Sequence, residues 1–118
     1  MTPLMLKTDK NPEGTPLSAF DGIRAGLQAD RAQFYKDLTT PFFGFNRNGI
    51  KGSPGRRDTF TMLGMQSSLR SSYECVRQFS ETDFTQDLQK MTLSTLLIHG
   101  DDDQIVPMPR RPSRHRRS

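Results

Sequence analysis

One short apolar run, STLLIHG at Ser94–Gly100, limits what this chain can fold into more than any other feature. A continuous apolar run that ends at a glycine is typical of a strand buried on both faces of a parallel sheet. The rest of the sequence holds helical patterns and loops, without a second convincing strand. Because a single strand cannot pair its own backbone N–H and C=O groups, the neighbouring strands of the sheet are predicted to be missing.

The residues before the strand predict helices joined by loops. Apolar residues recur at helical spacing from Ser18 to Leu38, and Pro41 is expected to end this helix. A second amphipathic helix is predicted for 57–79, and a short helix within 80–91. Two segments rich in Gly, Pro, Asn or Asp are predicted loops: Asp9–Pro16 and Phe42–Gly55.

The composition predicts a thin core, because hydrophobic residues make up only 32% of the chain. Without a sheet beneath the helices, several apolar side chains are expected to stay partly exposed and to invite aggregation or partner binding. These are Phe20, Phe42, Phe60 and Leu97. The single cysteine, Cys75, excludes an internal disulfide and is expected to pack in the core.

The net charge of +4 comes from the C-terminal residues. Residues 107–118 hold five arginines and no acid, and the remaining residues, with 12 basic and 13 acidic side chains, carry a net charge of −1. Binding of a nucleic acid would depend on this tail alone and is not favoured. The apolar run near the N-terminus is too short for a signal peptide or a membrane span, so a soluble, cytoplasmic protein without membrane contact is expected.

The predicted strand leads into an acidic turn, GDDDQIVP, that permits several interpretations. Loops at the carboxyl ends of parallel strands line ligand crevices, so a carboxylate here fits an active site, but from the residues alone a solvated turn is the favoured interpretation. A metal site is less favoured, because successive side chains point apart. His99 is expected to be a packed structural histidine, and His115 lies in the Arg-rich tail, where no predicted element would position it.

Several sequence segments occur in an order that resembles the cofactor-free haloperoxidases and arylesterases (perhydrolases) of the α/β-hydrolase superfamily. The most specific are FSETDFTQDL at Phe79–Leu88 and LLIHGDDDQIVP at Leu96–Pro107, and the others are PLMLKTD, GIRA, ADRAQFYKDL and PFFGFN. The resemblance implies an α/β fold, of which this chain would be a fragment. Its expected parts are a loop at 1–17, a helical cap region at 18–91, the sheet strand and acid-bearing turn at 92–107, and a disordered Arg-rich tail at 108–118.

The resemblance also implies a site. Asp103, three residues after Gly100, corresponds to the acid of the family's Ser–Asp–His triad. The chain has no G-x-S-x-G motif and no counterpart of the triad histidine, so activity of the chain alone is not expected. The family uses no metal or organic cofactor and acts on a small ester or a carboxylic acid with hydrogen peroxide. Five residues are expected to line its acyl pocket: Met5, Ile23, Leu38, Phe42 and Ile105.

Two other functions stay open. The chain could be a non-enzymatic binding module whose exposed cap helices, or whose basic tail at Arg110–Ser118, contact a protein or nucleic-acid partner. It could also be a complete small enzyme with rearranged catalytic groups, which is the least favoured interpretation. The oligomeric state is left open by the sequence.

Overall fold

A computed structural model of the chain describes residues 3–107. Five helices follow one another: α1 (Leu17–Ala29), α2 (Arg31–Phe42), α3 (Pro54–Met65), α4 (Leu69–Glu81) and α5 (Thr85–Gln89). The helix α1 packs against α4 and α2, and α2 packs against α3. Within residues 3–107, no helix has the length and apolar character needed to cross a membrane. The predicted disordered tail and His115 lie outside the described residues.

The first predicted helix is in fact two helices that meet at Asp30. The backbone of Asp30 is extended, with φ −155° and ψ 95°, and its carboxylate accepts a hydrogen bond from the Gln33 N–H at 2.9 Å. An aspartate at this position satisfies a free N–H group at the start of the next helix, which makes the break favourable. The helix α2 ends one residue beyond Pro41, close to the predicted end.

The second predicted helix is also divided, by the residues Gln66–Ser68. The Ser68 hydroxyl accepts a hydrogen bond from the Ser71 N–H at 3.0 Å and begins α4. A serine hydroxyl that bonds to a nearby backbone N–H group competes with the hydrogen bonds of a continuous helix. The periodicity of apolar residues does not reveal such a break. The helix α3 begins earlier than predicted, at Pro54, where proline fits the first helical position. The short predicted helix is confirmed as α5.

The core is thin, as its composition predicts. Among the described residues, the buried apolar side chains are Phe20, Leu27 and Val76, which join α1 to α4. Partly buried residues surround them: Met5, Leu6, Ile23, Phe34 and Tyr35. Two predictions about burial are wrong. Phe20, expected to be partly exposed, is only 2% exposed and packs edge-on against Phe79. Cys75, expected in the core, is exposed on α4.

The N-terminal loop is tied down by its own turns and by the helices. Asn11 donates two side-chain hydrogen bonds, to the carbonyls of Leu4 at 2.7 Å and Leu6 at 3.1 Å, which close the predicted loop at Asp9–Pro16. The Leu6 N–H donates to the Ser80 carbonyl at the end of α4. The loop is therefore bonded to the end of α4 and belongs to the folded part of the chain.

The prediction of a buried strand at Ser94–Gly100 is wrong for this structure. The segment makes no ladder, and the described residues contain only isolated bridges, both within the N-terminal loop. Its apolar side chains, Leu96, Leu97 and Ile98, are 70–84% exposed, and Leu93 just before it is 82% exposed. A strand needs a neighbour to pair its backbone groups, and residues 3–107 offer none. The expected exposure of Leu97 is thereby confirmed, as is that of Phe42, at 50%.

Candidate active site at the acidic turn

The carboxylate of Asp103 folds the acidic turn around itself. Its Oδ1 atom accepts hydrogen bonds from the backbone N–H groups of Ile105 at 2.9 Å and Val106 at 2.8 Å. Aspartate commonly closes turns in this way, by bonding to backbone groups two and three residues ahead. The bond from Val106, and then that from Ile105, hold the pKa of the Asp103 carboxyl below its usual range. The carboxylate is therefore charged at neutral pH.

The second carboxylate oxygen of Asp103 faces His99. The distance from Oδ2 to His99 Nε2 is 3.4 Å, longer than a good hydrogen bond. The same Nε2 atom lies 2.9 Å from the Val106 carbonyl oxygen, which can only accept, so Nε2 carries a proton in this contact. The His99 side chain is 17% exposed. It packs across the turn and joins its two ends, as expected for a structural histidine.

The other two aspartates of the turn have different surroundings. Asp102 forms a bidentate ion pair with Arg47, which lowers the pKa of the Asp102 carboxyl through hydrogen bonding. Asp101 is exposed to solvent. Within residues 3–107, no group of three His, Cys, Asp or Glu side chains is arranged to hold a metal ion. The three acids of the run thus have three different surroundings, and they do not form a shared cation site among the described residues.

The acidic turn forms one wall of a cleft of about 510 Å³. The opposite wall is the end of α2 and the loop after it, Pro41–Gly44. Of the predicted pocket residues, Phe42 and Ile105 line this cleft together with Asp103. An aromatic side chain and the carboxylate therefore border the same cleft, which is open to the solvent.

The remaining predicted pocket residues fall into two further hollows. Ile23, Leu38 and Ile105 line one apolar groove of about 420 Å³ between α1, α2 and α4. Met5 lies in a different hollow of about 630 Å³, which is also lined by Phe79, Phe84 and Val106. The structure thus brings three of the five together, places Phe42 in the cleft next to them, and separates Met5.

Sequence reasoning missed two polar residues that contact the turn, Asn46 and Arg47, and one polar residue of the turn itself, Gln104. Asn46 and Arg47 belong to the segment FGFNRNG, where glycines flank a short polar stretch. This pattern signals a tight loop, but it does not reveal which distant segment the loop contacts.

The chain is similar in sequence to several proteins of known name. It is 50% identical over 106 residues to a non-heme chloroperoxidase of Streptomyces lividans, a match that covers 89% of this chain and 38% of the relative. It is also 50% identical over 107 residues to a non-heme haloperoxidase of Rhodococcus erythropolis, covering 90% and 39% of the two chains. A bifunctional esterase/perhydrolase of Acinetobacter calcoaceticus is 42% identical over 106 residues, covering 89% and 38%. No protein-family model matches.

These relatives are named non-heme chloroperoxidase, non-heme haloperoxidase and esterase/perhydrolase, and the chain is a fragment of an α/β-hydrolase family member. It spans about 38% of the length of the curated relatives that it matches, so it corresponds to a fragment of a family member. A fragment of this kind explains why the described residues are mainly helical in a family of α/β proteins.

Proposed function

We propose that this chain supplies the covering helices and the triad acid of a serine-dependent, cofactor-free esterase and perhydrolase, with Asp103 as the acid. One observation carries the proposal: two backbone N–H groups hold Oδ1 of Asp103, and Oδ2 has only a long contact with His99. A charged carboxylate held by one oxygen can use the other to orient an imidazole and to stabilise its protonated form.

The reaction proposed for the complete enzyme is acyl transfer. A serine hydroxyl attacks the ester carbonyl while an imidazole takes its proton, and the alcohol leaves with that proton. Water then releases the acyl group as a carboxylic acid, or hydrogen peroxide releases it as a peracid. The peracid oxidises halide to hypohalous acid and returns the carboxylic acid. Asp103 does not react in these steps; it keeps the imidazole in the required orientation and stabilises its protonated form.

The apolar groove would receive the acyl group. Ile23, Leu38 and Ile105 provide a wall without charged groups, and Ile105 also borders the cleft that contains Asp103. Phe42 would close the cleft beside the carboxylate. A concave apolar surface next to a few polar groups is typical of a small-molecule site. Met5 remains a prediction from the family resemblance, since it lies in a separate hollow.

By itself, the chain of 118 residues is proposed to be inactive. Its sequence contains no G-x-S-x-G motif, and His99 is occupied with the Val106 carbonyl. Loss of a single member of such a triad already lowers turnover by several orders of magnitude. Hydrolysis of p-nitrophenyl acetate by the purified chain should therefore equal the rate in buffer.

The role of Asp103 can be tested in a chimera. The matched segment of the Streptomyces lividans chloroperoxidase is replaced by residues 3–107 of this chain. We expect the chimera to hydrolyse p-nitrophenyl acetate and Asp103→Asn to lower its kcat by about 10⁴-fold. The matched control is Asp101→Asn, which removes a neighbouring exposed carboxylate and should leave kcat within a factor of two or so of the parent chimera.

Two results would contradict the proposal. One is a chimera whose Asp103→Asn variant keeps its activity. The other is a chimera that folds, as judged by a cooperative thermal transition, and yet has no activity before any further substitution.

A binding role is the second candidate, and the exposed apolar segment Leu93–Ile98 favours it. Such a segment is expected to associate with another protein surface. A contribution of the tail at Arg110–Ser118 would appear as salt-dependent retention on DNA that is lost when the tail is deleted. Equal retention with and without the tail would exclude that contribution.

A further inference from the structure

The loop between α2 and α3 holds the acidic turn through two pairs of side chains. Arg47 binds Asp102 in a bidentate ion pair, with Nε–Oδ2 and Nη2–Oδ1 distances of 2.6 Å each. One residue earlier, Asn46 and Gln104 exchange two amide hydrogen bonds of 2.9 and 3.0 Å. The residues held in this way, 102 and 104, lie directly before and after Asp103 in the chain. The loop therefore fixes both neighbours of the proposed triad acid.

The backbone of the holding loop has a defined shape. Gly44 and Gly49 have φ values of 68° and 82°, a region that is unfavourable for residues with a Cβ atom. Between them, the Arg47 N–H donates to the Gly44 carbonyl at 2.9 Å, and the Phe45 N–H donates to the Thr40 carbonyl at 2.9 Å. The two turns direct the Asn46 and Arg47 side chains at the same neighbouring segment.

Aromatic contacts attach the same loop to α3. The rings of Phe43 and Phe45 stack with centroids 5.4 Å apart, and the ring of Phe60 meets Phe43 edge-on at 5.5 Å. The guanidinium groups of Arg57 and Arg56 lie over the rings of Phe45 and Phe43, at 4.9 and 5.6 Å from the centroids. Such contacts stabilise a loop conformation before any ligand binds. The loop is thus a fixed support for the turn.

The contacts between loop and turn lie at the surface. The side chains of Arg47 and Asp102 are 45% and 63% exposed, and an isolated exposed ion pair adds little to the free energy of folding. A bidentate pair beside a reciprocal amide pair has, however, strong directional requirements. We therefore expect these contacts to affect the orientation of the turn more than the stability of the whole chain.

We propose that Arg47 and Asn46 are positioning residues, which fix the direction of the Asp103 carboxylate by holding Asp102 and Gln104. The use of this carboxylate in catalysis rests on the proposed function. The contacts that hold the turn do not depend on the proposed function, since all of them are within the described residues.

The hold on the turn can be measured in the chain of 118 residues without any activity. The probes are the backbone N–H groups of Ile105 and Val106, which donate to Asp103. We expect Arg47→Gln to accelerate their hydrogen exchange, followed by NMR, by about two- to fivefold. Exchange of the Val76 amide in the core should not change. The control is Lys51→Gln, which removes one exposed positive charge from the same loop.

Two further readouts separate positioning from general destabilisation. In Arg47→Gln, the NMR titration midpoint of the Asp103 carboxyl should rise towards its ordinary value, because the bonds from Val106 and Ile105 are made for a smaller fraction of the time. The charge-exchanged variant, Arg47→Asp together with Asp102→Arg, should protect the Ile105 and Val106 amides from exchange better than Arg47→Gln does. An additional loss of protection in the exchanged pair would contradict a direct contact.

The catalytic consequence is measured in the chimera. Arg47→Gln and Asn46→Ala should lower kcat with little change in KM, since neither residue lines the apolar groove. Unchanged hydrogen exchange in the 118-residue variants would refute the claim that the loop holds the acidic turn. Faster exchange with unchanged kcat, in a chimera that Asp103→Asn inactivates, would overturn the positioning role. An active Asp103→Asn chimera would instead contradict the proposed function, whatever the exchange experiment gives.

Discussion

Removing one buried leucine should cost this fold much of its stability. Leu27 is 3% exposed and is one of three buried apolar side chains among the described residues. It lies where α1 meets α4, beside the partly buried Ile23 and Phe34. Leu27→Ala removes three carbon atoms from this contact. Leu96→Ala is the matched control, because the same atoms are removed from a side chain that is 83% exposed.

The expected loss follows from burial and from the freedom of the neighbours to move. Leucine-to-alanine substitutions in cores cost about 2–5 kcal/mol, and the cost is smaller where the site can collapse. Because Ile23 and Phe34 beside Leu27 are only partly buried, we expect the lower part of this range, about 2–3 kcal/mol. With a urea m value of about 1–2 kcal/mol/M for a small protein, the midpoint should fall by roughly 1–3 M. Leu96→Ala should change the free energy of unfolding by less than about 0.5 kcal/mol.

The assay is urea unfolding followed by the far-ultraviolet circular dichroism of the helices. Helix content before unfolding must be the same in the parent chain and both variants. Equal midpoint shifts for Leu27→Ala and Leu96→Ala would refute the reasoning, since they would mean that the α1–α4 contact does not stabilise the helices. A larger effect of Leu96→Ala would show that residues 93–98 are buried in solution.

Three further predictions concern the turn, the loop and the exposed segment. The Asp103 carboxyl should titrate below its ordinary pKa in the folded chain and return to the ordinary value in urea. Since its folded-state pKa is the lower one, its contribution to stability is fully present above the ordinary pKa of about 4 and is lost as the pH falls through the folded value, which NMR titration of the carboxyl carbon measures. Gly44→Ala should destabilise the loop by about 1 kcal/mol, because its φ of 68° is unfavourable for alanine, and should accelerate exchange of the Arg47 amide. Replacing Leu96 and Ile98, both more than 80% exposed, by lysine should lower self-association in sedimentation velocity; association that persists unchanged would place the contact elsewhere.

Sequence periodicity predicted most of the helical residues but not the breaks between helices. The breaks at Asp30 and Ser68 depend on single side-chain hydrogen bonds to Gln33 and Ser71, which are local choices that an apolar stripe does not record. Phe20 was expected to be partly exposed for want of a sheet, whereas α4 covers it. Which helix packs on which face depends on the loops between them, and the sequence pattern does not specify the path of these loops.

Part of the candidate site, like part of the fold, could be predicted from the sequence, and the rest could not. Asp103 was predicted from the family resemblance, and its environment in the structure is made by bonds to residues two and three positions ahead. The contacts of Arg47 with Asp102 span 55 residues, and those of Asn46 with Gln104 span 58. Contacts at such separations cannot be read from a single sequence. Three of the residues predicted to line an acyl pocket, Ile23, Leu38 and Ile105, share one groove, and its use as an acyl pocket stays a prediction.

The contrast between the apolar segment 94–100 and the turn after it explains how the acidic turn can form without a neighbouring sheet. Residues 96–98 need a neighbouring strand for their backbone groups, and no such strand is available among residues 3–107. The turn that follows needs no strand, because Asp103 satisfies the N–H groups of Ile105 and Val106 locally and the loop at Asn46 and Arg47 holds the outside of the turn. The orientation of the acid is therefore encoded by the turn and the helical region together. It follows that substitutions in the loop should disturb the acid even where the sheet is complete, whereas substitutions in the strand should act mainly on folding.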